Sequence, residues 1–199
     1  MLGHLLHHEL EVIEMFFSKA CSWIELEEDA VAQKLDAMRT PSEDIVEDAY
    51  CSPHGPIELR NVVLRATVNE LNALLESALS QKVETVTKSI TTANGRFLLG
   101  LDRPSLVALL IENGIFLDTV PGNDSVLEIK ELSESFKHRR GFRSLPKRSK
   151  AGEYVVQRSL IPGKDEFDIG PHEINAQQVA RLINGARTFL EQLNARSFL

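Results

Sequence analysis

The residues best suited to chemistry lie in one short segment that is far more basic than the rest of the chain. Residues 137–150, called here the basic segment, contain seven cationic side chains: Lys137, Arg139, Arg140, Arg143, Lys147, Arg148 and Lys150. Without them the chain carries 15 basic and 29 acidic residues, a net charge of −14 instead of −7. A local concentration of cations on an acidic protein can attract phosphate groups or an acidic protein surface.

His138 is the residue of this segment that can take part in acid–base chemistry. The neighbouring cations reduce the proton affinity of a histidine, which favours the neutral form that acts as a general base near pH 7. The candidate catalytic residues are therefore His138, Arg139 and Arg140. A simpler alternative is that cations at a helix C-terminus interact favourably with the helix dipole and form a solvated cap without a ligand.

A second group of possible ligands lies near the N-terminus, where His4, His7 and His8 precede Glu11. His4, His8 and Glu11 fall on one helix face, a spacing at which two side chains one turn apart can reach a divalent ion. No further ligand is marked on another helix, so we predict a solvated terminal face, no metal and no cofactor. P-loop, GxGxxG and GxSxG motifs are absent from the sequence.

The composition indicates a folded protein with a helical core. The chain has 199 residues, of which 43% are hydrophobic and 26% charged, and it contains one Trp and two Tyr. Leu, Ile, Val and Ala must therefore fill most of the core of one domain. Cys21 and Cys51 are not spaced as a zinc or disulfide framework, and no signal peptide or membrane span is evident. These features predict a cytoplasmic protein without membrane contact.

Apolar residues recur at three- and four-residue steps over most of the chain, which predicts helices. The expected helices cover residues 2–38, 57–83, 102–114, 124–141 and 172–199, with a possible helical turn at 43–49 in the connector 39–56. Within 142–173, EYVVQRSL and DEFDIGP are strand-like and can pair around Pro162-Gly163. We predict one all-α domain over 1–199, an antiparallel bundle of four to five helices. Residues 142–173 form an irregular or β-hairpin insertion before the last helix.

The stretch LEIKELSESFKHRRGF, followed by a loop and a final amphipathic helix, resembles the corresponding part of HEPN domains, which are all-helical. LRATVNELNALLESAL is similar to their long earlier helix. Their signature is an Arg, a polar residue and a His four to six positions after the Arg. Counted back from His138, that Arg falls at Leu132, Ser133 or Glu134, none of which is Arg. The stretch RNVVLR at 60–65 begins like the signature, but exposed charges on an amphipathic helix explain it better.

The resemblance implies a homodimeric module of prokaryotic defence or toxin–antitoxin systems. Three functions remain open. The first is binding of RNA, phosphate or an acidic protein partner through the basic segment. The second is a metal-independent endoribonuclease that uses His138 with Arg139 or Arg140. The third is a structural helical interaction protein that has no nucleic-acid ligand.

Overall fold

The computed structural model describes residues 2–38, 40–52, 54–138, 146–148, 154–156 and 174–195, and these residues are mostly helical. For residues 2–4, 99, 138, 146–148 and 154–156 it describes the backbone only. The α-helices of the described residues are α1 Leu2–Ala37, α2 Glu43–Cys51, α3 Pro56–Thr87, α4 Arg103–Glu112, α5 Asn123–His138 and α6 Ala176–Ala195. Short 3₁₀ helices cover Leu98–Gly100 and Leu117–Thr119. The all-α class predicted from the sequence is confirmed.

The ends of the helices follow local sequence signals. Pro56 opens α3 in its first turn, where the missing N–H is not needed. Asp102 caps α4, because its carboxylate accepts a hydrogen bond of 3.0 Å from the backbone N–H of Ser105. Gly114 follows α4 with φ +77°, a backbone conformation that ends helices and favours glycine. The predicted start and stop of this helix are confirmed, and α2 confirms the helical turn expected at 43–49.

The core is one cluster of buried apolar side chains to which α1, α3, α4, α5 and α6 contribute. α3 lies at its centre and contacts each of the other five helices. On α1 the buried side chains include Leu6, Leu10, Phe17 and Ile24, which follow one another at steps of four, seven and seven residues. On α6 Val179, Leu182, Ile183 and Phe189 are likewise buried. Helical periodicity thus identifies the core-facing side of both terminal helices.

The insertion contains a strand pair that differs from the predicted one. β1 (Pro146–Arg148) and β2 (Tyr154–Val156) run antiparallel, with Lys147 opposite Val155. The segment EYVVQRSL therefore contributes a strand, but that strand pairs with a stretch on its N-terminal side. The predicted turn at Pro162-Gly163 and the segment DEFDIGP lie outside the described residues.

No helix within the described ranges is both long enough and apolar enough to cross a lipid bilayer.

Candidate functional site

α5 brings the start of the basic segment to the edge of the core. Its apolar side packs inward through Val126, Ile129 and Leu132, which are buried. Phe136 is half-buried against the core, Lys137 is exposed, and the helix ends at His138. The helix therefore ends where the cationic residues begin.

Two of the three positions at which a HEPN signature Arg is expected are occupied by buried residues, and the third is the half-buried Glu134. Leu132 is buried, and Ser133 is 1% exposed. The Ser133 hydroxyl donates a hydrogen bond of 2.8 Å to Oδ1 of Asn69 on α3. Positions 132 and 133 thus serve the contact between α3 and α5. Position 134, one turn before His138, holds an acidic side chain, so none of the three positions supplies a cation.

α3 supplies a cation, Arg65, which the sequence pattern predicts as an exposed charge on an amphipathic helix. The guanidinium carbon of Arg65 lies 5.7 Å from the centre of the Phe136 ring, an arrangement typical of a cation–π interaction. Arg65 is exposed, as predicted for the charges of RNVVLR, yet it lies beside the end of α5. The two residues are far apart along the chain, so only the packing of α3 on α5 brings them together. No local sequence signal could have identified this pair.

The remaining cations of the basic segment are described only in part. Lys147 and Arg148 belong to β1, whose register places Arg148 opposite Tyr154 of β2. The positions of Arg139, Arg140, Arg143 and Lys150 lie outside the described residues, as does the side chain of His138. The structure therefore shows where the predicted catalytic and binding segment starts. It also shows that β1, inside this segment, pairs with β2, which follows it.

The histidine cluster near the N-terminus has partners of its own. His7 Nε2 lies 3.7 Å from Glu11 Oε1, and His8 Nδ1 lies 3.9 Å from Glu11 Oε2. All three side chains are largely exposed, while the side chain of His4 is not among those described. Within the described ranges no three His, Cys, Asp or Glu side chains are grouped so that they could hold a metal ion.

A buried cation, Arg103, lies in α4 within the electrostatic influence of Glu76 on α3, and sequence periodicity did not reveal it. Arg103 is only 8% exposed, and its Nη1 has no hydrogen-bond partner among the described residues. Burial lowers the pKa of Arg103, and the charge of Glu76 raises it. Glu76 in turn accepts a hydrogen bond of 3.0 Å from Nδ2 of Asn72. Arg103 is thus a buried cation whose polar atoms are incompletely satisfied within the described part of the chain, which bears on stability.

Two described cations, Arg65 and Lys137, thus lie at the end of α5, where the basic segment begins. A basic site at this place suits a ligand that carries several negative charges. Comparison of the chain with protein-family models, with curated proteins and with solved structures finds no match.

Proposed function

We propose that the chain is a cytoplasmic helical module that binds RNA through the basic segment. One observation carries the proposal: α3 places Arg65 against Phe136, so a cation from another helix joins Lys137 at the start of that segment. A solvated cap on α5 needs no cation from α3. A surface that binds a polyanion gains affinity from each additional cation.

The distribution of charge supports a nucleic acid as the ligand. Seven cations are set on a chain whose other residues have a net charge of −14. These cations are attracted to the chain's own carboxylates, so a ligand must present denser negative charge to compete. RNA does so, and its binding also releases condensed counterions into solution.

The strand pair favours a single-stranded ligand. The register places Arg148 opposite Tyr154, so a cation and an aromatic residue occupy neighbouring positions on β1 and β2. Single-stranded nucleic acids are bound by cations that follow the phosphates and by aromatic rings on which bases stack. Phe136 adds an aromatic ring at the end of α5, with its centre 5.7 Å from the guanidinium carbon of Arg65.

The resemblance to HEPN domains supplies the proposed context. It suggests an antiparallel helical bundle, a homodimer, and a role in prokaryotic defence or a toxin–antitoxin pair. Catalysis is not part of the proposal, because none of positions 132, 133 and 134, where the signature Arg is expected, is Arg, and the first two are buried in the core.

The test is fluorescence anisotropy with a labelled single-stranded RNA at about 100 mM salt. The triple variant Arg139→Glu, Arg140→Glu, Arg143→Glu should weaken binding at least about 100-fold, because it reverses three of the phosphate contacts. The control variant Lys34→Glu, Lys88→Glu, Arg96→Glu changes the net charge equally at exposed positions outside the basic segment and should retain most of the affinity. His138→Ala should bind like the unmodified protein.

Other outcomes favour the alternatives. Polyglutamate that binds as tightly as RNA at equal charge would indicate an acidic protein partner. RNA cleavage that persists in EDTA and disappears in His138→Ala would establish the endoribonuclease. If the basic segment variant and the control bind alike, the RNA-binding proposal is wrong and the segment is a solvated cap.

A further inference from the structure

α1 has a second apolar side that faces away from the core. Val12, Phe16, Trp23 and Leu26 are exposed and follow steps of four, seven and three residues, with Lys19 filling the gap. Extended towards the N-terminus by the same steps, this row includes Glu9 and Leu5. A repeat of 3.5 residues is typical of a helix that packs along its length against another helix. We call these seven positions, from Leu5 to Leu26, the α1 seam.

The α1 seam presents most of the surface that one partner of a stable interface needs. Its five apolar side chains and the adjacent Met15 are 44–67% exposed. Since a large apolar side chain has on the order of 200 Å² of surface, these six present roughly 600 Å² to solvent. Apolar patches of that size are at the upper limit for monomers, and a stable interface needs about 800 Å² on each partner.

We propose that the occupant of the α1 seam is the α1 helix of a second copy, packed antiparallel about a two-fold axis near residue 14. The two charged seam residues point to this arrangement. In the antiparallel register Glu9 lies opposite the partner's Lys19, and Lys19 lies opposite the partner's Glu9. The remaining layers between residues 5 and 23 are all apolar. In them Leu5 meets the partner's Trp23, and Val12 meets the partner's Phe16. A parallel pair would instead place Glu9 against Glu9 and Lys19 against Lys19, which is unfavourable.

A groove beside the seam fits the same register. It lies between α1 and α3, has a volume of about 370 Å³, and is lined by Glu9, Val12, Ile13, Glu70 and Leu74 among others. The partner's Phe16, opposite Val12, is placed to enter its apolar part. The partner's Lys19, opposite Glu9, is placed near its carboxylates. One surface therefore offers both the protruding side chains and the groove that receives them, as a two-fold interface requires.

Charge reversal with rescue tests the register. Sedimentation or light scattering on the full chain should show a dimer at micromolar concentration. Lys19→Glu and Glu9→Lys each place like charges opposite one another at two layers, so each should raise the dissociation constant on the order of 100-fold. The double variant Glu9→Lys, Lys19→Glu should restore the dimer. Lys34→Glu makes the same charge change beyond the paired residues and should have little effect.

Cross-linking tests the orientation without altering the seam. In the proposed register His8 lies beside the partner's Ser22, whereas a parallel pair places each opposite itself. With Cys21 and Cys51 replaced by Ser, a short bismaleimide should link His8→Cys chains to Ser22→Cys chains, and neither to itself. A protein that is monomeric at about 100 μM, a dimer that tolerates both single reversals, or cross-links between identical positions would overturn the proposal.

Discussion

At the scale of single residues, the hydrogen bond between Ser133 and Asn69 should stabilise the folded protein. Ser133 is buried on α5 and donates to Oδ1 of Asn69 on α3. Ser133→Ala removes the donor and leaves the amide oxygen without this partner, so it should lower the free energy of unfolding by about 1–2 kcal/mol. Urea denaturation measures this change. Ser18→Ala, at an exposed position of α1, is the control, and an equal effect of both substitutions would contradict the interpretation.

The charge of Arg103, in contrast, should add nothing to the free energy of unfolding or should lower it. Its guanidinium is buried, and Nη1 has no partner in the described ranges, so its desolvation is only partly compensated. Arg103→Met keeps the length and the packing of the side chain without the charge. We expect the unfolding free energy to stay the same or to rise by about 1 kcal/mol. A fall of more than about 1 kcal/mol in urea denaturation would show that the guanidinium is held by a stabilising contact.

At the scale of helices, the cap of α4 should make stability depend on pH. Hydrogen bonds from Ser105 lower the pKa of Asp102. A lowered pKa in the folded state stabilises the protein above the ordinary pKa of about 4, and this contribution is lost as the pH falls through the lower folded value. Asp102→Ala should therefore reduce the melting temperature at pH 7, by an amount that shrinks below about pH 4. Asp102→Asn retains a capping acceptor without charge, so it should lower the melting temperature less than Asp102→Ala at pH 7, and the difference between the two variants should not vary with pH.

The crossing of α5 and α6 provides a second test at this scale. A Cβ added at Gly185 would lie 2.1 Å from Oγ of Ser125, so the two helices approach closely at this point. In an exposed helix the change from Gly to Ala stabilises by about 1 kcal/mol. Here Gly185→Ala should instead destabilise by about 1–3 kcal/mol, because α6 must move away from α5. Asn184→Ala, at the exposed neighbouring position, is the control in thermal denaturation, and stabilisation by Gly185→Ala would show that the helices are not in close contact.

At the scale of the whole molecule, local sequence patterns account for more of the fold than of the site. The period of apolar residues predicted α1, α3 and α6, and the Asp102 cap with Gly114 predicted the limits of α4, because these signals act within a few residues. The contact of Arg65 with Phe136 and the buried Arg103 depend on which helices become neighbours, which no local pattern specifies. The exposed row Val12, Phe16, Trp23 and Leu26 was visible in the sequence, but only the structure distinguishes it from the buried stripe of α1.

The central claim, that the basic segment binds RNA, is tested most directly by the salt dependence of binding. For single-stranded RNA the slope of log K against log salt is about −0.7 for each phosphate contact, so seven contacts give about −5. Arg139→Gln, Arg140→Gln, Arg143→Gln should change the slope to about −3, because four of the seven cations of the segment remain. An unmodified protein with a slope near zero, or a triple variant with the unmodified slope, would contradict the claim.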